Sequence, residues 1–327
     1  MNVLVAGGAG YIGSHTVQEL QRRGYRVVVV DNLVSGHRSA VRCDLMVADV
    51  SDRQTIAAVA RDYRIDAVIH FAAFAAVGES MENPGKYFAN NVVATQALLD
   101  ALVGAGVTRF IFSSSCAVYG QPNRLPVTED TPACPESPYG ESKLIVERML
   151  RWYDYAHGLK FISLRYFNAA GTAVDGSIGE DIRPAIRIIP VALEVAMDKR
   201  PQFTLNGTDY DTPDGTCIRD YVHVQDLATA HVRALEYLTT ESRSDIFNLG
   251  IGRGYSNRQI LDVVQRVTGA SLNIVQSPRR EGDPACVYAD STRVRRVLGW
   301  EPRHSDIETM VSSNWNWRQA HPNGYLD

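Results

Sequence analysis

Over roughly the first half of the chain, short runs rich in Val, Ile and Phe alternate with longer stretches whose apolar residues recur every three or four positions. The runs predict strands at about 2–6, 26–30, 45–48, 67–70, 109–113 and 160–165. The longer stretches predict helices near 11–23, 52–62, 86–105 and 139–157; Val92, Ala94, Ala97, Leu98 and Ala101 show the helical spacing. Regular alternation of strand and helix specifies an α/β fold, a doubly wound parallel sheet with helices on both faces.

The rhythm then changes. Five of the 14 prolines (Pro122, Pro126, Pro132, Pro135 and Pro138) fall within residues 121–138, so this connection is not helical. After Asn168 the chain turns to loops rich in Gly, Asp and Thr, at 171–183 and 206–217, separated by a helical stretch near 187–199. Ile246–Leu249 reads as a further strand and Asn257–Val267 as a further helix. We therefore expect a first domain at 1–168, with segments around 220–250 returning to it, and a smaller, discontinuous lobe made mainly from 169–327.

Composition narrows the classes. With 327 residues, 45% hydrophobic and 21% charged, the chain has ample core material, which excludes disorder. A net charge of −4 without a long basic run argues against nucleic acid as a partner. The N-terminus reads as a strand rather than a signal peptide, and no apolar stretch reaches a membrane span of about 18 residues, so no membrane partner is expected. Five scattered cysteines (Cys43, Cys116, Cys134, Cys217 and Cys286), with no CxxC pair, favour reduced thiols in the cytoplasm and give no metal signature.

Chemistry enters at the first strand–helix junction. Gly7, Gly10 and Gly13 form a G-x-x-G-x-x-G loop between the first strand and the first helix, where glycine permits a tight turn and close approach of a pyrophosphate to free helix N–H groups. Asp31, at the end of the second strand and eighteen residues after Gly13, is placed to accept from an adenosine ribose. No arginine adjoins it to receive a 2′-phosphate, so NAD is favoured over NADP. Asp49, at the end of the third strand, either reaches the adenine or is an ordinary loop carboxylate.

Tyr139 and Lys143 stand four residues apart, on one face of a predicted helix. A cation beside the phenol, joined by the positive charge of an oxidised nicotinamide, would lower the tyrosine pKa and make it a base near neutral pH. Such a pair is common by chance. Its context is less so, because the buried strand Phe110-Ile111-Phe112 ends in Ser113-Ser114-Ser115 at the carboxyl edge, where α/β folds place their sites. Ser115 could hydrogen-bond a reacting hydroxyl.

Taken together these segments strongly resemble the extended short-chain dehydrogenase/reductase superfamily and, within it, the UDP-galactose (UDP-glucose) 4-epimerase family. Gly7–His15, Asp31-Asn32-Leu33, His70-Phe71-Ala72-Ala73, Val77–Ser80, Ser113-Ser114-Ser115 with Val118-Tyr119-Gly120, and Tyr139-Gly140-x-Ser142-Lys143 carry the likeness. Leu164–Asn168, Asp214–Val224, Asn248-Leu249-Gly250 and Arg279-Arg280-Glu281-Gly282-Asp283 extend it along essentially the whole chain.

The resemblance implies an NAD-binding Rossmann-type sheet, a smaller α/β substrate lobe, and a homodimer formed through the helices at 86–105 and 139–157. It implies a retained NAD lined by Gly7, Gly10, Tyr11, Ile12, Gly13, Asp31, Asn32, Asp49, Val50, Phe71, Ala72, Ala73, Asn90, Ser113, Tyr139, Lys143, Tyr166 and Phe167. Tyr139, helped by Ser115, would take the proton of the sugar 4-OH while the C4 hydride passes to the nicotinamide, and Lys143 would hold the nicotinamide ribose. The 4-keto sugar then turns over and receives the hydride on its other face. Because the sugar must rotate, binding energy has to lie on the nucleotide: Asn168, Arg187, Arg219, Tyr221, Arg280, Asp283 and Val287, with Ser115 and Tyr139, are the implied substrate contacts. His70 and His223 read as structural histidines.

Rival chemistries leave signatures. A 4,6-dehydratase of this superfamily carries Asp-Glu directly after the strand-end Ser or Thr, and a UDP-glucuronate decarboxylase carries the Glu; here the residues are Cys116 and Ala117. A keto-sugar reductase shares the Ser-Tyr-Lys set but exchanges its cofactor. A degenerate NAD sensor would have lost the Tyr-Lys pair. Four positions depart from the family pattern. Phe74-Ala75 lacks a lysine seen in some members, and Arg187 stands where Asn or His is expected, as a phosphate ligand or a solvated charge. Asn206 replaces a common Phe near the base, which leaves the nucleotide and pentose sugars open. Val287 stands where some members carry a bulky Tyr beside the sugar, which predicts that N-acetylated UDP-sugars are accepted with UDP-glucose and UDP-galactose.

Overall fold

A computed structural model of the chain describes residues 1–280 and 283–327. Glu281 and Gly282, part of the motif that carries Arg280 and Asp283, lie outside the described residues. The first half runs β1 (Asn2–Ala6), α1 (Tyr11–Arg22), β2 (Arg26–Asp31), β3 (Asp44–Val47), α2 (Arg53–Asp62), β4 (Ala67–His70), α3 (Val77–Glu82), α4 (Pro84–Tyr87), α5 (Ala94–Gly104), β5 (Arg109–Ser115), α6 (Pro138–His157) and β6 (Lys160–Tyr166). The rest runs β7 (Asn168–Ala170), α7 (Ile188–Ala196), β8 (Phe203–Asn206), β9 (Ile218–Arg219), β10 (Tyr221–His223), α8 (Val224–Glu241), β11 (Asp245–Leu249), β12 (Tyr255–Ser256), α9 (Asn257–Thr268), β13 (Ile274–Ser277), β14 (Cys286–Val287), α10 (Thr292–Leu298) and α11 (Ile307–Ala320).

Seven parallel strands make the central sheet in the order β11-β6-β5-β4-β1-β2-β3. Alternate residues of a strand point to opposite faces, and both faces here are covered, so the strands read as continuous apolar runs. Val3, Val5, Val29, Ile69, Ile111 and Ile162 face α1 and α8; Leu4, Val28, Val30, Val68, Phe110 and Phe112 face α2, α5 and α6. The order of the strands reverses between β1 and β4, and the crevice outside their carboxyl ends is where such sheets bind ligands.

The expected helix at 86–105 is broken. Residues Phe88–Val93 form a π-helical turn between α4 and α5. Its one buried side chain, Asn91, accepts from Phe74 N and donates to Phe74 O and Ser142 Oγ, which ties the segment after β4 to α6. The proline-rich stretch 121–137 is a long connection, pinned by a bridge between Val127 and Ala289, and the last of its expected prolines, Pro138, opens α6 instead. A separate core, with α7, α9 and α11 packed around β8 and β10, lies beyond the sheet. A fourth cluster joins the two and contains Tyr119, Leu144, Phe167, Val287 and Ala289.

Candidate active site

The glycine loop follows β1 at the crevice. A Cβ on Gly7 would lie 2.4 Å from Ala72 N, and one on Gly13 would lie 2.2 Å from Gly7 O, so the β1–α1 turn and the segment after β4 close on each other only with glycine at these positions. Gly10 caps α1 without any side-chain partner, so the first-turn N–H groups of Tyr11, Ile12 and Gly13 are left for an anion. That geometry fits a dinucleotide pyrophosphate.

Asp31 is buried at the end of β2; its carboxylate accepts from Ala9 N and Leu33 N at 2.9 Å each. Burial pushes its pKa up while these amides hold it down, and two carboxylate oxygens offer lone pairs beyond those bonds for ribose hydroxyls. Asp49 is more fully committed: it accepts from Ser51 N and Oγ, and from Asn32 Nδ2 at 3.1 Å. It therefore ties the end of β3 to Asn32 and packs beside the buried Val50. Across the crevice, Phe71 N and Ala72 N donate to Ala6 O, Ala73 follows half-buried, and Phe71 packs against His231 at a tilt, with ring centres 4.6 Å apart. Asn90 lies on the π-helical turn and donates to Asn91 Oδ1.

At the carboxyl end of β5 the reacting groups converge. Ser137 caps α6 by accepting from Gly140 N, and Pro138 occupies the first turn, so Tyr139 enters the helix one turn before Lys143. Ser115, Tyr139 and Lys143 are all buried. Lys143 Nζ donates to Ser113 O at 2.9 Å and stands 5.9 Å from the centre of the Tyr139 ring. Ser113 Oγ bonds Tyr166 OH at 2.9 Å.

Burial pushes the Tyr139 phenol up, the neighbouring Tyr166 adds to this, and the Ser115 hydroxyl and Arg187 guanidinium oppose it in part. Burial also brings Lys143 down to about 7, against the pull of the Glu147 carboxylate. Desolvation thus works against the charged form of both groups, and the positive charge of a bound oxidised nicotinamide would favour the Tyr139 phenolate that a base requires.

Four of the implied substrate contacts, Asn168, Arg219, Tyr221 and Val287, fall on β7, β9, β10 and β14. Asn168 Nδ2 donates to Asp220 O at 2.8 Å, and Tyr221, buried on β10, pairs with Asn168 in register. Arg219 Nη2 donates to Asp283 Oδ1 at 3.2 Å, which brings two of these residues into one ion pair. Asn206, with its amide oxygen turned to the guanidinium, accepts from Arg280 Nε and Nη2 at 3.1 Å each. Val287 is walled in by Phe167, Tyr119 and Leu144, with no bulky ring at its own position.

Arg187 does not point freely to solvent. Its Nη1 donates to Glu180 Oε1 at 2.6 Å, and its guanidinium carbon stands 5.0 Å from the centre of the Tyr11 ring. Tyr11 OH in turn donates to Gly171 O. Phe74-Ala75 lacks the lysine of some relatives, yet Lys86 Nζ lies 4.3 Å over the Phe74 ring and pairs with Glu79. Cys116, next to Ser115, has its thiol pushed up to about 12 by burial, which makes it a poor proton carrier near neutral pH. Among the described residues no cluster of three or more His, Cys, Asp or Glu side chains is placed to hold a metal.

Three charged groups around the site went unread in the sequence: Glu180, Asp220 and Glu147. Asp220 is fully buried, and its carboxylate accepts from Ile251, Gly252 and Ala289 N–H groups. It fastens the strand of Arg219 to the segments on either side. Glu147 offered a signal, since a carboxylate one turn after Lys143 on a packed helix face has to have a partner.

Comparison with known proteins agrees with this geometry. The model of the NAD dependent epimerase/dehydratase family matches residues 3–250. The chain is 48% identical to the UDP-glucose 4-epimerase of Lactobacillus helveticus over 329 aligned positions, covering 100% of each protein. Among solved structures it is similar to a UDP-glucose 4-epimerase from Brucella ovis in complex with NAD (TM-score 0.94, 48% identity, 96% of this chain and 97% of that one). It is also similar to the UDP-Glc/GlcNAc 4-epimerase of Campylobacter jejuni (TM-score 0.86, 39% identity, 98% and 99% covered). On the family model and on full-length identity, the chain belongs to the NAD dependent epimerase/dehydratase family.

Proposed function

We propose that the protein is an NAD-dependent UDP-sugar 4-epimerase that interconverts UDP-glucose and UDP-galactose and also accepts the N-acetylated pair. The observation that carries this reading is the meeting of Ser115, Tyr139 and Lys143 at the end of β5, beside a glycine loop whose helix amides have no side-chain cap. NAD, when bound, supplies a hydride acceptor at the sugar C4 and a donor for the return step. The chain's own residues do the rest.

Tyr139 takes the 4-hydroxyl proton at its phenolic oxygen and gives it back after the sugar has turned, with Ser115 sharing the hydrogen bond. Lys143 holds a ribose and contributes positive charge. Arg219 and Arg280, with Asn168, Tyr221 and Asp283, anchor the nucleotide and its phosphates, which leaves the sugar free to turn. Residues 1–168 and the returning 220–250 form the cofactor platform, and the remainder forms the substrate lobe. We also assign a homodimer: Val93, Trp152 and Tyr155 are exposed on the helices expected to pair. The five free cysteines fit a reducing cytoplasm, and interconversion of UDP-glucose with UDP-galactose would serve galactose metabolism there.

The test is a panel of UDP-glucose, UDP-galactose, their N-acetyl analogues and UDP-xylose, read for inversion at C4. Inversion without net NADH supports the reading. Stoichiometric NADH release, or reduction of a keto sugar with exchange of cofactor, would identify a reductase instead.

A further inference from the structure

Helix α6 presents three polar side chains to strand β5 on successive turns: Tyr139, Lys143 and Glu147. Four residues advance slightly more than one turn, so the three form a single stripe. Strand β5 meets them with three consecutive residues. The Ser115 hydroxyl faces Tyr139, the Ser113 carbonyl accepts from Lys143 Nζ at 2.9 Å, and the Ser114 hydroxyl donates to Glu147 Oε1 at 2.6 Å.

The first two contacts belong to the reacting groups. The third does not, yet it is the most heavily built. Glu147 is 1% exposed, and its carboxylate also accepts from Arg165 Nε at 2.9 Å and Nη2 at 2.5 Å, a bidentate pair to the neighbouring strand β6. Arg165 Nη1 donates to Tyr119 OH, which donates to Asn248 Oδ1 on β11, whose amide nitrogen donates to Val127 O. A network anchored on three adjacent strands thus grips α6 by one carboxylate.

Desolvating a carboxylate and a guanidinium is costly, and apolar side chains would fill the same volume with less penalty. Apolar packing, however, tolerates sliding, whereas a bidentate pair plus a serine hydroxyl fixes one position along the helix axis. We propose that Glu147 is a positioning residue whose clamp on Ser114 and Arg165 sets α6 against β5, and with it the Ser115–Tyr139 and Ser113–Lys143 spacings that proton transfer needs. The proposal rests on the assignment of Ser115, Tyr139 and Lys143 made above.

Two variants of the NAD-loaded enzyme test it, with Tyr139→Phe as the reference. Ser114→Ala removes one hydroxyl and leaves the ion pair intact. Glu147→Leu combined with Arg165→Met replaces the pair by apolar side chains of similar volume. Misplacement on the ångström scale predicts kcat lower by about tenfold in Ser114→Ala and about a hundredfold in the double variant, with KM for UDP-glucose within about twofold in both. The double variant also moves the alkaline limb of the kcat profile to lower pH, because the carboxylate that favours the Lys143 ammonium is gone.

Where the double variant does not fold, Ser114→Ala decides alone. A change in melting temperature with kcat and its pH profile unaltered overturns the proposal. If Tyr139→Phe keeps wild-type activity, the reading of the site falls and the clamp with it. If Tyr139→Phe is inactive while the folded variants turn over at the wild-type rate, only the clamp falls.

Discussion

Acid should unfold this protein through four buried histidines. His15, His70, His223 and His231 are each at most 2% exposed, and burial lowers them to about 4, 3, 3 and 4 respectively. Their hydrogen bonds fit only neutral rings. His15 Nδ1 donates to Tyr11 O and His231 Nδ1 to Leu227 O, leaving each Nε2 without a partner. His70 Nε2 donates to Thr95 Oγ1 and its Nδ1 has no partner, while His223 Nδ1 accepts from Gln225 N. A second proton would therefore be buried with no acceptor closer than the Ile178 carbonyl beside His15, or would break a bond.

Because the folded values lie below the unfolded one, the unfolded chain binds more protons between about pH 4 and 6.5. The stabilisation is complete above that range and is lost as the pH falls through it. Going from pH 7.5 to pH 5 costs about 2 kcal/mol per ring, or about 8 kcal/mol for four. Asp220, pushed up to about 7, gains a proton in the fold and returns about 2–3 kcal/mol, while Lys143, lowered to about 7, adds about 1 kcal/mol to the loss, leaving a net loss of roughly 6 kcal/mol. That is a large fraction of the roughly 5–15 kcal/mol that holds a typical domain together.

The assay is denaturant unfolding of wild type and His231→Phe at the two pH values. The phenyl ring keeps the tilted ring contact with Phe71 and removes one titrating group, so the variant should lose about 2 kcal/mol less than wild type on acidification. Equal stability of the wild type at pH 7.5 and pH 5, or an acid loss in His231→Phe equal to that of wild type, would refute the reasoning.

Other predictions concern the site. Gly13→Ala places a methyl 2.2 Å from Gly7 O and should yield protein with little bound NAD, measured by absorbance after denaturation. Arg219→Lys keeps the charge and loses the fork that reaches Asp283; KM for UDP-glucose should rise about tenfold or more with kcat changed only a few-fold, as steady-state kinetics would record. Val287→Tyr should abolish turnover of UDP-N-acetylglucosamine while UDP-glucose turnover stays within a few-fold, checked by assaying both sugars side by side.

Much of the cofactor half is written locally, because a buried parallel strand followed by a glycine turn and an amphipathic helix leaves a signal in every window of sequence. The strands of the expected alternation and the Ser-Tyr-Lys spacing are of this kind. Helix α8 is equally legible in Leu227, Ala230, Ala234, Leu235 and Leu238, although the expectations covered it only as part of a segment returning to the sheet. The two- to four-residue strands β7 to β10 and β12 to β14 are too short to show alternation; tertiary pairing makes them. The π-helical turn at Phe88–Val93 is invisible to apolar spacing because its cause is Asn91 reaching to Phe74 and Ser142. The pairings Glu147 with Arg165 and Glu180 with Arg187 also lie beyond a sequence reading: one charge on a buried face announces a partner without naming it. Arg187 shows this best, since neither of its two readings named the Glu180 carboxylate that holds its guanidinium over the Tyr11 ring.

The central claim is that Tyr139 moves the 4-hydroxyl proton while the hydrogen on C4 leaves and returns within the site. UDP-glucose deuterated at C4, incubated with wild type and with Tyr139→Phe, tests it most directly. The account predicts UDP-galactose that retains deuterium at C4 with no accumulated NADH from wild type, and a rate lower by about a hundredfold or more from the variant. Loss of the deuterium to solvent, or full activity in Tyr139→Phe, would contradict it.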